Sequence, residues 1–257
     1  MSDTYFQSIL AREAVDTGLY APARHAQAIL TPVLQQWGGS YLRDVSPSGS
    51  FAKGTANRSG TDIDLFLSVA SYTTDTLKQL YNSLDGALTN AGYKTRRQNV
   101  SINVRVTNSS GMPYDVDLVP AKQQTVGSSD HSLYRRKADT WTKTNVSTHI
   151  ATVSQSGRTP EIRILKLWRN QKGLDFPSFY LELAVIEALR GTNYYSLTDR
   201  VVHALRYLRD SLPNARFVDP ANTNNIISDD LTTTEKQAVS AAAGRALAAP
   251  TWGEVVK

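Results

Sequence analysis

Apolar residues recur at helical spacing early in the chain, where Ala26, Ile29, Leu30, Val33 and Leu34 fall on one face. The pattern predicts helices over 3–14 and 22–37, the second stopped by Gly38 and Gly39. The period then shortens. Segments 41–45, 62–69, 94–106 and 114–119 read as strands, and a helix over 74–91, closed by Gly92, separates the second from the third. From about Ser147 onward helical spacing returns, over 146–155, 159–171, 177–189, 197–211 and 233–248. Pro213, Pro220 and the polar run Asn222-Thr223-Asn224-Asn225 part the last two helices. The expected fold is α+β: a small sheet flanked by helices over 1–145, a helical bundle over 146–257, and a cleft between them of the kind ligands occupy.

Composition narrows this picture only slightly. A chain of 257 residues, 40% hydrophobic, can bury a substantial core. The net charge of +5 suits polyanionic ligands such as nucleotides but falls short of a nucleic-acid footprint. Cysteine is absent, which removes disulfides, thiol catalysis and a cysteine-based structural zinc. The start is charged and lacks an apolar run, and no stretch approaches the ~20 apolar residues of a membrane helix, so a soluble cytoplasmic protein is expected.

Candidate chemistry begins in "SPSGSFAKGTANRSGTDIDLFLSV", Ser46 to Val69. In a strand, Asp62 and Asp64 project to one face while Ile63, Leu65 and Leu67 line the other. A lone Asp-x-Asp is usually turn punctuation. Here "MPYDVDLVPAK" repeats the logic, with Asp115 and Asp117 opposite Val116 and Leu118. Carboxylates gathered from two strands repel unless a hard cation such as Mg²⁺ joins them, and three of them suit a two-metal phosphoryl-transfer site. Upstream, Gly49 lets backbone approach a phosphate and the Ser50 hydroxyl can donate to it.

Gly49-Ser50, then Asp-Ile-Asp-Leu after an eleven-residue gap, then an aspartate in a later strand resemble the DNA polymerase β-like nucleotidyltransferase superfamily. "VDLVPA" is similar to the third-aspartate strand of the 2′-5′ oligoadenylate synthases and their bacterial relatives, which makes Asp117 the third ligand and Asp115 a neighbour. "LKLWRNQKGLDFPSFYLELAVIEAL" resembles the helix pair that carries a lysine, a serine and an aromatic to the donor nucleotide in those enzymes, and "FVDPANTNN" their Asp-Pro segment. The nearest overall likeness is to bacterial cyclic GMP-AMP synthase-like nucleotidyltransferases (CD-NTases), makers of cyclic di- or trinucleotide signals in anti-phage defence.

The resemblance implies a polymerase β-like sheet in which Asp62, Asp64 and Asp117 bind two Mg²⁺, with Mn²⁺ as a substitute. It also implies that Gly49 and Ser50 hold the β- and γ-phosphates and that Lys166 and Ser178 reach the triphosphate. Phe179 would stack on the base, with Tyr180 as the other candidate. The same residues invite plainer readings: a lysine on a solvated helix face, a capping serine, a core aromatic. Asn224 reads as a turn residue. Asn225 remains open between turn and nucleotide contact. Lys94, Arg96, Arg97, Arg135, Arg136 and Lys137 read as solvated strand faces or as an acceptor surface, and the four histidines show no ligand spacing.

The implied substrates are nucleoside triphosphates: ATP, with GTP or a pyrimidine NTP beside it. A linear oligoadenylate maker or an RNA (tRNA) terminal transferase would use the same chemistry, but the sequence shows no extra RNA-binding domain, which counts against a tRNA acceptor. A nucleotide-binding protein with a spent site is disfavoured because all three aspartates and Lys166 are in place. Aminoglycoside-modifying enzymes share only the first motif.

Overall fold

A computed structural model describes residues 2–16, 18, 21–60, 62–107, 111 and 113–257. Its contacts divide the chain into two compact units. The sheet unit comprises Val15–Lys53 and Gly60–Ile150, and the helical unit Met1–Ala14, Gly54–Ser59 and Ala151–Lys257. In the second half of the chain the boundary between the units falls between Ile150 and Ala151. The first helix and a six-residue segment in mid-chain, however, belong with the helical unit.

In the sheet unit the described strands are β1 (Leu42–Pro47), β2 (Ile63–Val69), β3 (Thr95–Arg97), β4 (Ile102–Thr107), β5 (Pro113–Gln123), β6 (His131–Arg135) and β7 (Thr140–Thr144). The order is β1-β2-β5-β4-β3, with β6 pairing β5 and β7 pairing β6. Among the described strands only β2 and β5 run parallel, in register from Ile63 opposite Val116 to Val69 opposite Lys122. Helix α1 is Ser2–Arg12; α2 (Pro22–Gly38), the short α3 (Gly49–Lys53) and α4 (Leu77–Asn90) follow.

One sheet face is dry. Ala26, Leu30 and Leu34 of α2 and Tyr81, Leu84 and Leu88 of α4 pack on Ile63, Leu65, Leu67, Val104, Val116 and Leu118. These are the apolar positions that the period-2 and period-3.6 patterns select. The acidic positions of β2 and β5 therefore fall on the other face.

The long strand expected over 94–106 is instead the hairpin β3–β4. The Gln98 N–H donates to the Ser101 carbonyl at 2.9 Å, and Arg96 pairs with Asn103 across the turn. The strands β6 and β7 carry no apolar alternation long enough to stand out.

The helical unit holds α1, α5 (Val146–Ser154, whose last turns belong here), α6 (Thr159–Gln171), α7 (Ser178–Ala188), α8 (Leu197–Asp210), α9 (Thr233–Ala248) and α10 (Trp252–Val255). The hairpin β8 (Val218–Asp219) and β9 (Asn222–Ile226) lies where the sequence suggested only a break. Phe6 and Ile9 of α1 sink into the core of this unit with Trp168, Leu181, Val185 and Leu205. The Asp3 carboxylate accepts the backbone N–H groups of Leu197 and Thr198 at the start of α8. Among the described residues no helix is long and apolar enough to cross a membrane.

Candidate active site

The polar face of the sheet carries a row of four directly paired residues: Asp64 on β2, Asp117 on β5, Asn103 on β4 and Arg96 on β3. Residues paired across adjacent strands project to the same side. Asp64 and Asp117 are thus side by side on one face, the arrangement that β2–β5 parallel pairing requires of them.

Gly49 owes its identity to Asp64. Its φ is +57°, and a Cβ there would come within 1.8 Å of Asp64 Oδ2. Only glycine leaves room for that carboxylate. The Ser48 N–H also donates to the Asp64 backbone carbonyl at 2.8 Å, which ties the turn before α3 to β2. The glycine expected to approach a phosphate therefore first accommodates an acid, and Ser50 follows it in the first turn of α3.

Asp117 Oδ1 accepts from Asn103 Nδ2 at 2.7 Å and from Gln98 Nε2 at 3.1 Å. Burial pushes its carboxyl above the ordinary range and the negative charge of Asp62 adds to this, while the two amide donors and Arg96 pull it down. Asp115 has a different partner. Arg105 grips it through Nε–Oδ1 at 3.1 Å and Nη2–Oδ2 at 2.9 Å and holds its carboxyl low. Of the two acids on β5, Asp117 is the one registered with Asp64.

Asp62 precedes β2 and is exposed. Among the described residues no three acidic or imidazole side chains stand close enough to cage a metal ion. The expected convergence of Asp62, Asp64 and Asp117 is thus only partly formed. The donor set still fits a hard divalent cation in kind: carboxylate oxygens on one face, with a missing Cβ at Gly49 that leaves Asp64 its place.

Beside the row, Lys94, Thr95, Arg96, Asn103, Arg105 and Asp115 line a concavity of about 390 Å³. Arg97 turns away to Asp85 and the Tyr81 ring, so the basic run divides between two environments.

In the helical unit Lys166 is not on a solvated face. It is buried on α6, with Nζ 3.6 Å from Glu182 Oε1 on α7 and 3.5 Å from Thr55 Oγ1. The Thr55 hydroxyl donates to that same Glu182 oxygen at 2.7 Å. Thr55 comes from the 54–59 segment, which Arg163 fastens through the Ala56 carbonyl and Asn57 Oδ1, both at 3.1 Å.

Ser178 opens α7, with Pro177 just outside the helix, and its Oγ accepts from Arg169 Nη1 at 2.9 Å. Arg169, a cation that the sequence reading did not single out, also donates to the Phe176 carbonyl at 2.6 Å. Phe179 is part-buried against the core. Tyr180 is removed as a base platform: it is fully buried, edge-on to Phe176, and burial pushes its phenol up to about 12. Asp219 braces the β8–β9 turn, accepting from the Ala221 N–H and from Asn225 Nδ2, and the Asn224 N–H donates to Asn222 Oδ1, so Asn224 and Asn225 both have turn partners.

No family model and no curated protein matches the sequence. Solved structures do match. Escherichia coli MS115-1 CdnC, solved with ATP, aligns with a TM-score of 0.76 and 22% identity over 98% of this chain and 96% of that one. The Bradyrhizobium diazoefficiens CD-NTase CdnG, in complex with GTP, aligns at 0.72 and 14% identity over 99% and 95%. The Cid1 poly(U) polymerase with MgGTP bound aligns at 0.69 and 12% identity over 96% and 93%. The chain has the nucleotidyltransferase fold that these three proteins share.

Proposed function

We propose that this protein is a template-independent, Mg²⁺-dependent nucleotidyltransferase that joins nucleoside triphosphates into a cyclic di- or trinucleotide signal, with a role in bacterial anti-phage defence. The observation that carries the reading is the pairing of Asp64 with Asp117 on one face of the parallel strands β2 and β5, with Gly49 making space for the first. The fold shared with CdnC and CdnG supports the substrate class, since those proteins were solved with ATP and GTP.

In this reading Asp62, Asp64 and Asp117 hold two Mg²⁺ ions. Bound there, the ions supply charge neutralisation on the triphosphate and acidify the acceptor hydroxyl. The acceptor oxygen attacks the α-phosphorus. A new P–O bond forms, the bond to the bridging oxygen of the β-phosphate breaks, and pyrophosphate departs with that electron pair. Asp117 would take the hydroxyl proton. Gly49 and Ser50 would hold the terminal phosphates. Lys166 and Ser178 would bind the triphosphate, and Phe179 would face the base.

The likeness to the Cid1 poly(U) polymerase supports a second reading, in which the product is linear and the acceptor is an RNA or oligonucleotide end. One assay separates the two. The protein is incubated with Mg²⁺ and each NTP combination, and products are treated with phosphatase. Resistant products support cyclisation, whereas a phosphatase-sensitive ladder supports linear extension. Asp62→Asn should abolish every product while leaving the thermal melt intact; turnover retained in that variant would refute the metal assignment.

A further inference from the structure

Helix α7 reads Ser-Phe-Tyr-Leu-Glu-Leu-Ala-Val-Ile-Glu-Ala, and its mid-helix acid, Glu182, is almost fully buried in a core of Tyr180, Leu181, Ala184 and Val185. Lys166 is similarly embedded on α6 among Ile162, Leu165 and Leu167. Taking two opposite charges out of water gains little or nothing over two apolar side chains of the same size, so packing alone does not explain their presence. Their geometry does suggest a purpose. Thr55 donates to Glu182 Oε1 and accepts from Lys166 Nζ, so one hydroxyl fixes the oxygen against which the ammonium rests.

We propose that Glu182 is a positioning residue: with Thr55 it keeps the Lys166 ammonium charged and aimed before a nucleoside triphosphate arrives. This rests on the nucleotidyltransferase reading and assigns a role to a residue that makes no contact with substrate itself. Without Glu182, the Lys166 ammonium would lose the carboxylate oxygen it rests against and the alignment that this contact gives it, at the expense of its grip on phosphate. The pairing acts before binding, so its effect is on affinity, and it acts through Lys166 alone.

The test is the dissociation constant of the non-hydrolysable α,β-methylene-ATP with Mg²⁺, by calorimetry, on the full chain. Glu182→Gln should weaken binding about tenfold or more. Lys166→Met should weaken it as well, and the double variant should bind no worse than Lys166→Met. Glu182→Asp should recover part of the loss. Should Glu182→Gln fail to fold, Glu182→Asp replaces it in the cycle. The double variant, which leaves no single buried charge, still compares with Lys166→Met. Wild-type affinity in Glu182→Gln, tighter binding there, or losses that add in the double variant would each overturn the proposal. If wild-type protein binds no nucleotide at all, the nucleotidyltransferase reading falls and takes this inference with it; binding by wild type with no effect of Glu182 overturns the inference alone.

Discussion

Asp117 faces two opposed demands. Burial raises its carboxyl pKa, so folding with the group ionised is unfavourable, yet the proposed chemistry needs it ionised. The folded state holds this proton more tightly than the unfolded chain does. Stability therefore falls as pH rises from the ordinary carboxylate value through the raised one, and below both values the penalty is absent. Asp117→Asn retains an acceptor for Asn103 and Gln98 but removes the charge. It should melt on the order of 2 °C above wild type at pH 7.5, with the gap closing at pH 3, while activity drops about a hundredfold or more. A scanning-calorimetry pH series checks the first claim, and a lower melting point for the variant at pH 7.5 would contradict it. Gly49→Ala makes the converse case. Left-handed backbone and the 1.8 Å approach to Asp64 should cost about 1–3 kcal/mol and displace that carboxylate, so turnover and urea midpoint fall together. At this scale the acids were legible because a strand's period of two places them, whereas their partners were not. Asn103 and Gln98 reach Asp117 only through a strand pairing that no local pattern encodes. Glu182 did leave a signal, as an acid set between two leucines of an apolar helix, and so did Lys166 in Ile-Leu-Lys-Leu-Trp.

Elements with their own punctuation were the readable ones. Helix α6 runs over Thr159–Gln171 and α9 over Thr233–Ala248, the bounds that apolar spacing selects. Both α4 and α9 begin with reciprocal capping boxes, Thr76 with Gln79 and Thr232 with Glu235. Such caps make a helix end a local property, stated within four residues of sequence. Thr76→Ala removes one and lies far from the acidic row in sequence, so it should cost about 1 kcal/mol in a denaturant melt and leave turnover per folded molecule unchanged. A loss of turnover there would tie α4 to the site in a way the packing does not. Strands fared worse because their identity depends on neighbours. β5 pairs β4 along its first half and β6 along its second, with β2 alongside, and nothing in Pro113–Gln123 announces three partners. The β3–β4 turn was hidden for a related reason: it contains no glycine or proline, and its closing contact is one backbone hydrogen bond from Gln98 to Ser101.

Across the whole molecule, chain order and spatial order part company. The helical unit is assembled from both ends of the sequence and from residues 54–59, so a cut at 145/146, where the periodicity changes, would not release a complete unit. A fragment of residues 146–257 lacks Phe6 and Ile9, both fully buried in that unit's core, at roughly 1.5–3 kcal/mol each. It also lacks the Asp3 carboxylate that caps α8 and the Tyr5 hydroxyl that donates to the Val256 carbonyl at 2.8 Å. Thr55 and Asn57 go too, leaving Glu182 and Arg163 without those partners in buried surroundings. Losses of this size are comparable with the whole stability of a small domain. The fragment is therefore expected to show helical circular dichroism without a cooperative thermal transition. Joining residues 1–14 to its N-terminus through a flexible Gly/Ser linker should restore part of that cooperativity, because α1 supplies core and cap together. A sharp, reversible melt from 146–257 alone would mean that the bundle closes its core by some packing other than the one α1 completes.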